Sequence, residues 1–133
     1  MYRVTREIAF CYGHRLLNYD GKCQHLHGHN GKAVIVLAAP ELDHLGMLVD
    51  FVEIKRKVQL WIDENLDHNM LLCKDDPILP VLQQHGERVF IMDVNPTAEN
   101  IARLIYDHAK EAGLPIQEVT LWETEKCHAS YAS

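Results

Sequence analysis

The chain has no run of about 18 apolar residues and no secretory pattern at Met1-Tyr2-Arg3. A membrane span and a signal peptide are therefore not expected; a soluble, cytoplasmic protein is. Positive charge is in short supply: 13 Lys and Arg stand against 19 Asp and Glu, a formal net charge of −6. That argues against a nucleic-acid partner, which favours a basic face. There is no Cys-x-x-Cys; Cys11, Cys23, Cys73 and Cys127 are scattered, and four reduced thiols are expected. A His-Glu-x-x-His helix is missing, which removes the zinc proteases. A glycine-rich phosphate loop, internal repeats, linkers and low-complexity segments are missing too. The 133 residues read as one domain, 1–133, large enough to bury a core without staples.

Histidine is in excess, and the excess is local. Of nine histidines, four fall between His14 and His29. In Cys23-Gln24-His25-Leu26-His27-Gly28-His29-Asn30, alternate residues carry imidazoles. On a strand, residues i and i+2 share a face, so His27 and His29 would stand side by side. A zinc site needs a third protein ligand, and a catalytic one leaves its fourth position to water or substrate. His14, at the end of the preceding apolar run, is the best outside donor. His25 has the parity of His27 and remains a rival.

Tyr2 to Tyr12 reads as a strand, with Val4, Ile8, Phe10 and Tyr12 on one face and His14 in the same parity. Asn18, Asp20 and Gly21 mark a turn, and a second strand runs from about His27 to Ala38. So short a connection makes the pair antiparallel. Pro40 to Val49 reads as a loop. Asp50-x-x-Glu53 has the form of a capping box opening a helix that ends near Leu66. Asp76 and Pro77 are read as the cap and first residue of a shorter helix ended by Gly86. Val89 to Met92 is a short extended piece. A long helix starts after Asn95-Pro96-Thr97 and stops at Gly113 and Pro115. Ile116 to Thr124 is a strand, with Val119, Leu121 and Glu123 on one face, and Ala129 to Ala132 forms a last one.

Several residues in this frame carry chemistry. Cys23, four residues before His27, is either an ordinary thiol or a base and nucleophile whose pKa a nearby metal would lower. Asp67-His68 ends the first long helix. It is either a histidine favoured by the helix dipole or a carboxylate that orients an imidazole for proton transfer. Glu123 needs a partner: a structural salt bridge, or the paired donors of a heterocyclic ligand. Thr97 is first a helix cap.

Taken together, these residues resemble the 6-pyruvoyltetrahydropterin synthase family, which includes the bacterial 6-carboxytetrahydropterin synthases. The resemblance covers His14-Arg15-Leu16, Cys23 with His27-Gly28-His29-Asn30, and Gly46-Met47-Leu48-Val49-Asp50-Phe51. It continues through Leu66-Asp67-His68-Asn69, Pro96-Thr97-Ala98-Glu99-Asn100 and Trp122-Glu123-Thr124. The spaced cysteine with His-Gly-His is its specific part.

The resemblance implies an α+β tunnelling fold: a four-stranded antiparallel sheet with two helices on one face, in the order ββααββ. Subunits of that fold join their sheets into a barrel with active sites between them, and a homohexamer of two stacked trimers is expected. The resemblance also gives Zn2+ to His14, His27 and His29, leaving His25 outside. It makes Cys23 the base, Asp67 and His68 an acid–base pair, Glu123 the anchor of the pterin ring, and Thr97 and Glu99 substrate contacts. The implied activity is a zinc-dependent lyase turning 7,8-dihydroneopterin triphosphate into 6-carboxytetrahydropterin, triphosphate and acetaldehyde, on the route to queuosine. The three residues between Cys23 and His27 resemble the bacterial carboxy enzymes; the animal pyruvoyl enzymes have a longer insertion there. The alternatives are the pyruvoyl product, without carbon–carbon cleavage, and a non-catalytic pterin- or purine-binding zinc protein. Two departures stand out. Cys11-Tyr12-Gly13 replaces the small residues that many members have before the first histidine. The Leu72 to Val94 connection is also long.

Overall fold

The computed structural model describes residues 1–133. Strands β1 (Tyr2–His14) and β2 (His27–Ala39) form a long antiparallel pair, in which Tyr12 faces His29 and His14 faces His27. The short turn Lys22–Gln24 lies between them. The next helix, α1, is continuous: α-helical Phe51–Ile54, a π turn at Lys55–Gln59 and α-helical Leu60–Asn65. Then come β3 (Asn69–Cys73), α2 (Leu79–Gln84), β4 (Val89–Met92), α3 (Ala98–Glu111), β5 (Ile116–Trp122) and β6 (His128–Ala132).

The expected four antiparallel strands are present as β1-β2-β5-β6, but the sheet has six strands, in the order β4-β3-β1-β2-β5-β6. β3 runs parallel to β1, and β4 parallel to β3, so the sheet is mixed. There are three helices rather than two. The long Leu72 to Val94 connection is the excursion that supplies α2 and β4 and widens the sheet.

α1 explains its own π turn. Ile54, Val58, Ile62 and Leu66 recur every fourth residue, and all four are fully buried. Three α-helical turns take about 10.8 residues, so a strict four-residue stripe would drift off the core. One π turn absorbs about one residue and keeps the stripe in line. Asp50 caps this helix, accepting from the Val52 amide at 2.9 Å. The expected box is only half made, because the Glu53 side chain pairs with Arg56 and Lys57 instead.

The expected start of the shorter helix at Asp76 is also corrected. α2 begins three residues later, at Leu79. Asp76 accepts from the Ile78 amide at 2.9 Å, but its carboxylate turns to Arg15. An aspartate with an arginine available forms a charge-assisted pair, which is stronger than a neutral turn contact.

α1 and α3 cover one face of the sheet. Ile8, Phe10, Ala33, Ile35, Leu37, Val119 and Leu121 meet Ile101 and Ile105 of α3 and the α1 stripe in one core. Burying each of the larger side chains among them stabilises by about 1.5–3 kcal/mol. His108 joins the two helices: its ring stacks on Trp61 at 4.2 Å, and its Nε2 donates to the Lys57 carbonyl at 2.8 Å.

Candidate active site

By strand parity, even-numbered residues of β1 and odd-numbered residues of β2 share the covered face. That parity brings His14, His27 and His29 together, with ring centroids 4.6, 5.0 and 5.1 Å apart. One ligand atom from each lies within 4.8 Å of the others.

Backbone carbonyls aim two of the rings. His14 Nδ1 donates to the Pro96 carbonyl at 2.7 Å, and His27 Nδ1 donates to the His25 carbonyl at 2.6 Å. Both contacts fix the tautomer whose free lone pair is on Nε2. The Nε2 atoms of His14, His27 and His29 are all buried, and none has a hydrogen-bond partner. Burial pushes His14 down to about 4, with the Pro96 contact opposing and the two neighbouring imidazoles adding to it. Burial also lowers His29, against the opposing charge of Glu123. Three imidazoles with converging, unpartnered nitrogens make a group that could hold a metal ion. Three nitrogen ligands with an open fourth position are the donor set of catalytic zinc. The exposed ring of His25 stays outside.

Glu123 lies one residue beyond the end of β5, half-buried, with its amide donating to the Cys127 carbonyl at 3.1 Å. Within the chain it forms no ion pair. Its charge instead acts on Tyr12 and His29. Thr97 caps α3, its hydroxyl accepting from the Asn100 amide at 3.2 Å, and Glu99 is exposed in the first turn of that helix. Cys23 is half-buried in the turn before β2, where its carbonyl accepts from the Leu16 amide at 2.8 Å.

Asp67 and His68 dock elsewhere. Asp67 Oδ1 accepts from the Cys11 amide at 2.9 Å, the His68 amide donates to the Cys11 carbonyl at 2.6 Å, and His68 Nδ1 donates to Asp67 Oδ2 at 2.8 Å. His68 takes φ 57°, in the left-handed region, to make these contacts. Burial pushes Asp67 up, but the Cys11 amide, His68 and Arg88 together hold its carboxyl below the ordinary range. Cys11 is odd-numbered and stands on the uncovered face. His68 borders a hollow of about 680 Å³ there, with Cys11, Asn30, Lys32 and Trp122. A second hollow of about 710 Å³ shares Cys11 and His68, adds His85 and Arg88, and reaches His27. Cys23 lines neither hollow. The Asp67–His68 pair thus borders the hollow beside Cys11, Lys32 and Trp122, while the Nε2 atoms of the trio are buried.

The family model for 6-pyruvoyl tetrahydropterin synthase matches residues 3–133. The chain belongs to the 6-pyruvoyl tetrahydropterin synthase family. Within it, a 6-carboxy-5,6,7,8-tetrahydropterin synthase of Rickettsia felis is 38% identical, over 96% of this chain and 97% of its own. The Haemophilus influenzae protein of the same name is 31% identical, over 98% and 99%. Among solved structures, an uncharacterized protein from Wolinella succinogenes matches with TM-score 0.82 and 26% identity, covering 99% of this chain and 98% of that one. The Caenorhabditis elegans 6-pyruvoyl tetrahydropterin synthase matches in fold, with TM-score 0.75 and 24% identity, over 99% and 95%. Sequence reasoning missed the carbonyls of Pro96 and His25 that aim the imidazoles, because backbone groups leave no mark in residue type. It also gave Tyr12 no role, although that residue shares the parity of His14.

Proposed function

We propose that this chain is a zinc-dependent 6-carboxy-5,6,7,8-tetrahydropterin synthase. It would act as a lyase on 7,8-dihydroneopterin triphosphate to give 6-carboxytetrahydropterin, triphosphate and acetaldehyde, within 7-deazaguanine and queuosine biosynthesis. One observation carries the reading: three unpartnered Nε2 atoms converge in a chain whose near-full-length relatives bear that name.

In this reading His14, His27 and His29 hold the zinc. When bound, the metal supplies Lewis acidity to the side-chain hydroxyls of the substrate. Cys23, as thiolate, takes a proton from the side chain. His68 moves a second proton, its ring oriented by Asp67 and its Nε2 left free. Glu123 accepts from the ring N–H and exocyclic amine of the pterin, which explains a half-buried carboxylate without an ion pair. Thr97 and Glu99 contact substrate from the start of α3, next to the Pro96 carbonyl that aims His14. Triphosphate leaves by elimination, and carbon–carbon cleavage follows with the uptake of one water, whose oxygen ends in the 6-carboxylate.

In this reading two subunits share each site, the Cys23 and zinc half from one and the His68 half from its neighbour. Product analysis decides the branch. Incubation with dihydroneopterin triphosphate should release acetaldehyde and leave a 6-carboxy pterin. A 6-pyruvoyl product without acetaldehyde would assign the chain to the other branch of the family.

A further inference from the structure

Tyr12 is 1% exposed, and its hydroxyl has no hydrogen-bond partner. It stands among the groups of the site. Tyr12 is paired directly with His29 across the β1–β2 ladder, and its ring centroid lies 5.7 Å from that of His29 and 5.3 Å from that of His14. None of the three free Nε2 atoms accepts from it. The ring leans over Gly31, where an added Cβ would come 2.8 Å from Tyr12 Cε1. Gly31 therefore leaves the space that the distal end of the phenol fills. Lys32 pairs with Trp122, so Glu123 continues β5 past the same gap. The Tyr12 ring thus stands beside the imidazole trio, near the point where Glu123 leaves β5.

A buried hydroxyl without a partner is unfavourable, and phenylalanine would fill the same volume without that penalty. A donor held dry at this position has a use only when an acceptor arrives. We propose that Tyr12 is a further polar anchor for the bound ligand, its hydroxyl donating to an acceptor atom of the pterin that lies between the histidine trio and Glu123. The proposal rests on the pterin-binding reading above.

The test uses 7,8-dihydroneopterin, which has no triphosphate to lose, and zinc-loaded protein. Binding is measured by calorimetry for the wild type, Tyr12→Phe and Glu123→Gln, with metal content and ligand-free melting temperature recorded for each. Tyr12→Phe should weaken binding by up to about tenfold, the worth of one hydrogen bond. Its metal content should stay at the wild-type level, and its ligand-free melting temperature should rise by a few degrees. A purely structural tyrosine would not give weaker binding together with a more stable free protein. If Glu123→Gln weakens binding and Tyr12→Phe does not, this proposal falls and the pterin reading stands. Loss of zinc in Tyr12→Phe would also overturn it, by making the phenol part of the metal centre. If the wild type does not bind the probe, or neither substitution matters, the pterin reading falls with it.

Discussion

The His25 carbonyl accepts from His27 Nδ1 at 2.6 Å, so His25 serves the histidine cluster through its backbone while its ring stays in solvent. Removing the His25 ring leaves that carbonyl in place. His25→Ala should therefore keep about one zinc per chain after dialysis, whereas His27→Ala should lose most of it. Metal analysis of the purified variants checks both. A metal-free His25→Ala beside a metal-replete His14→Ala would reverse the assignment.

Arg15 and Asp76 form an ion pair whose carboxylate side chain is 0% exposed. It ties the residue after His14 to the turn that leads into α2. Removing one partner strands the other charge, so Arg15→Met should destabilise by about 3 kcal/mol in denaturant titrations at pH 7. The hydrogen bond from Arg15 holds the Asp76 carboxyl below its ordinary range, against the opposing effect of burial. A depressed carboxyl stabilises the fold above its unfolded pKa of about 3.9 and loses that effect as pH falls through its folded value. The loss caused by Asp76→Asn should accordingly be full at pH 7 and shrink below about pH 4. An equal loss at both ends of that range would separate Asp76 from the acid sensitivity of the fold.

What could be read in the sequence is what depends on local period. Alternation placed His14, His27 and His29 on one face, and the Asp50 and Thr97 caps announced their helices. β3 escaped because Met70-Leu71-Leu72-Cys73 directly follows a helix and pairs in parallel with distant β1, with no hairpin turn to signal it. The π turn escaped because a stripe at every fourth residue still looks helical. Asp76 looks like a cap in the sequence since its partner, Arg15, lies 61 positions away. The placement of Asp67–His68 depends on docking to the Cys11 backbone, which neither residue type encodes.

Cys23 separates chemistry from exposure. Cys11 and Cys127 are exposed, while Cys23 is only half-exposed. Accessibility alone would have iodoacetamide modify Cys11 and Cys127 first. A thiol activated by the bound metal should invert that order, since the thiolate is the reactive form. Mass-spectrometric alkylation rates on zinc-loaded protein should place Cys23 first, and the lead should vanish in His27→Ala. Cys23→Ala should lose turnover by more than about 100-fold while still binding zinc and dihydroneopterin. Normal turnover in that variant would make Cys23 an ordinary thiol.

The last prediction follows from the open edges of the sheet. β4 and β6 are both open edges, and open edges invite pairing with further chains. Trp122, Lys32 and the Asp67–His68 pair border one hollow, while the Nε2 atoms of the histidine trio are buried. Closing several sheets into a ring would pair the edges and bring the His68 of one subunit to the Cys23 of the next. A homohexamer of two stacked trimers is the expected mass in sedimentation. The sharper test is complementation. Cys23→Ala and His68→Ala should each be inactive alone. Unfolded together in equal amounts and refolded with zinc, they should regain about one quarter of wild-type activity, because random assembly builds that share of sites from two intact halves. A site contained within one chain would gain nothing from mixing. An active monomer, or a mixture as inactive as its parts, would remove the shared site while leaving the metal centre in place.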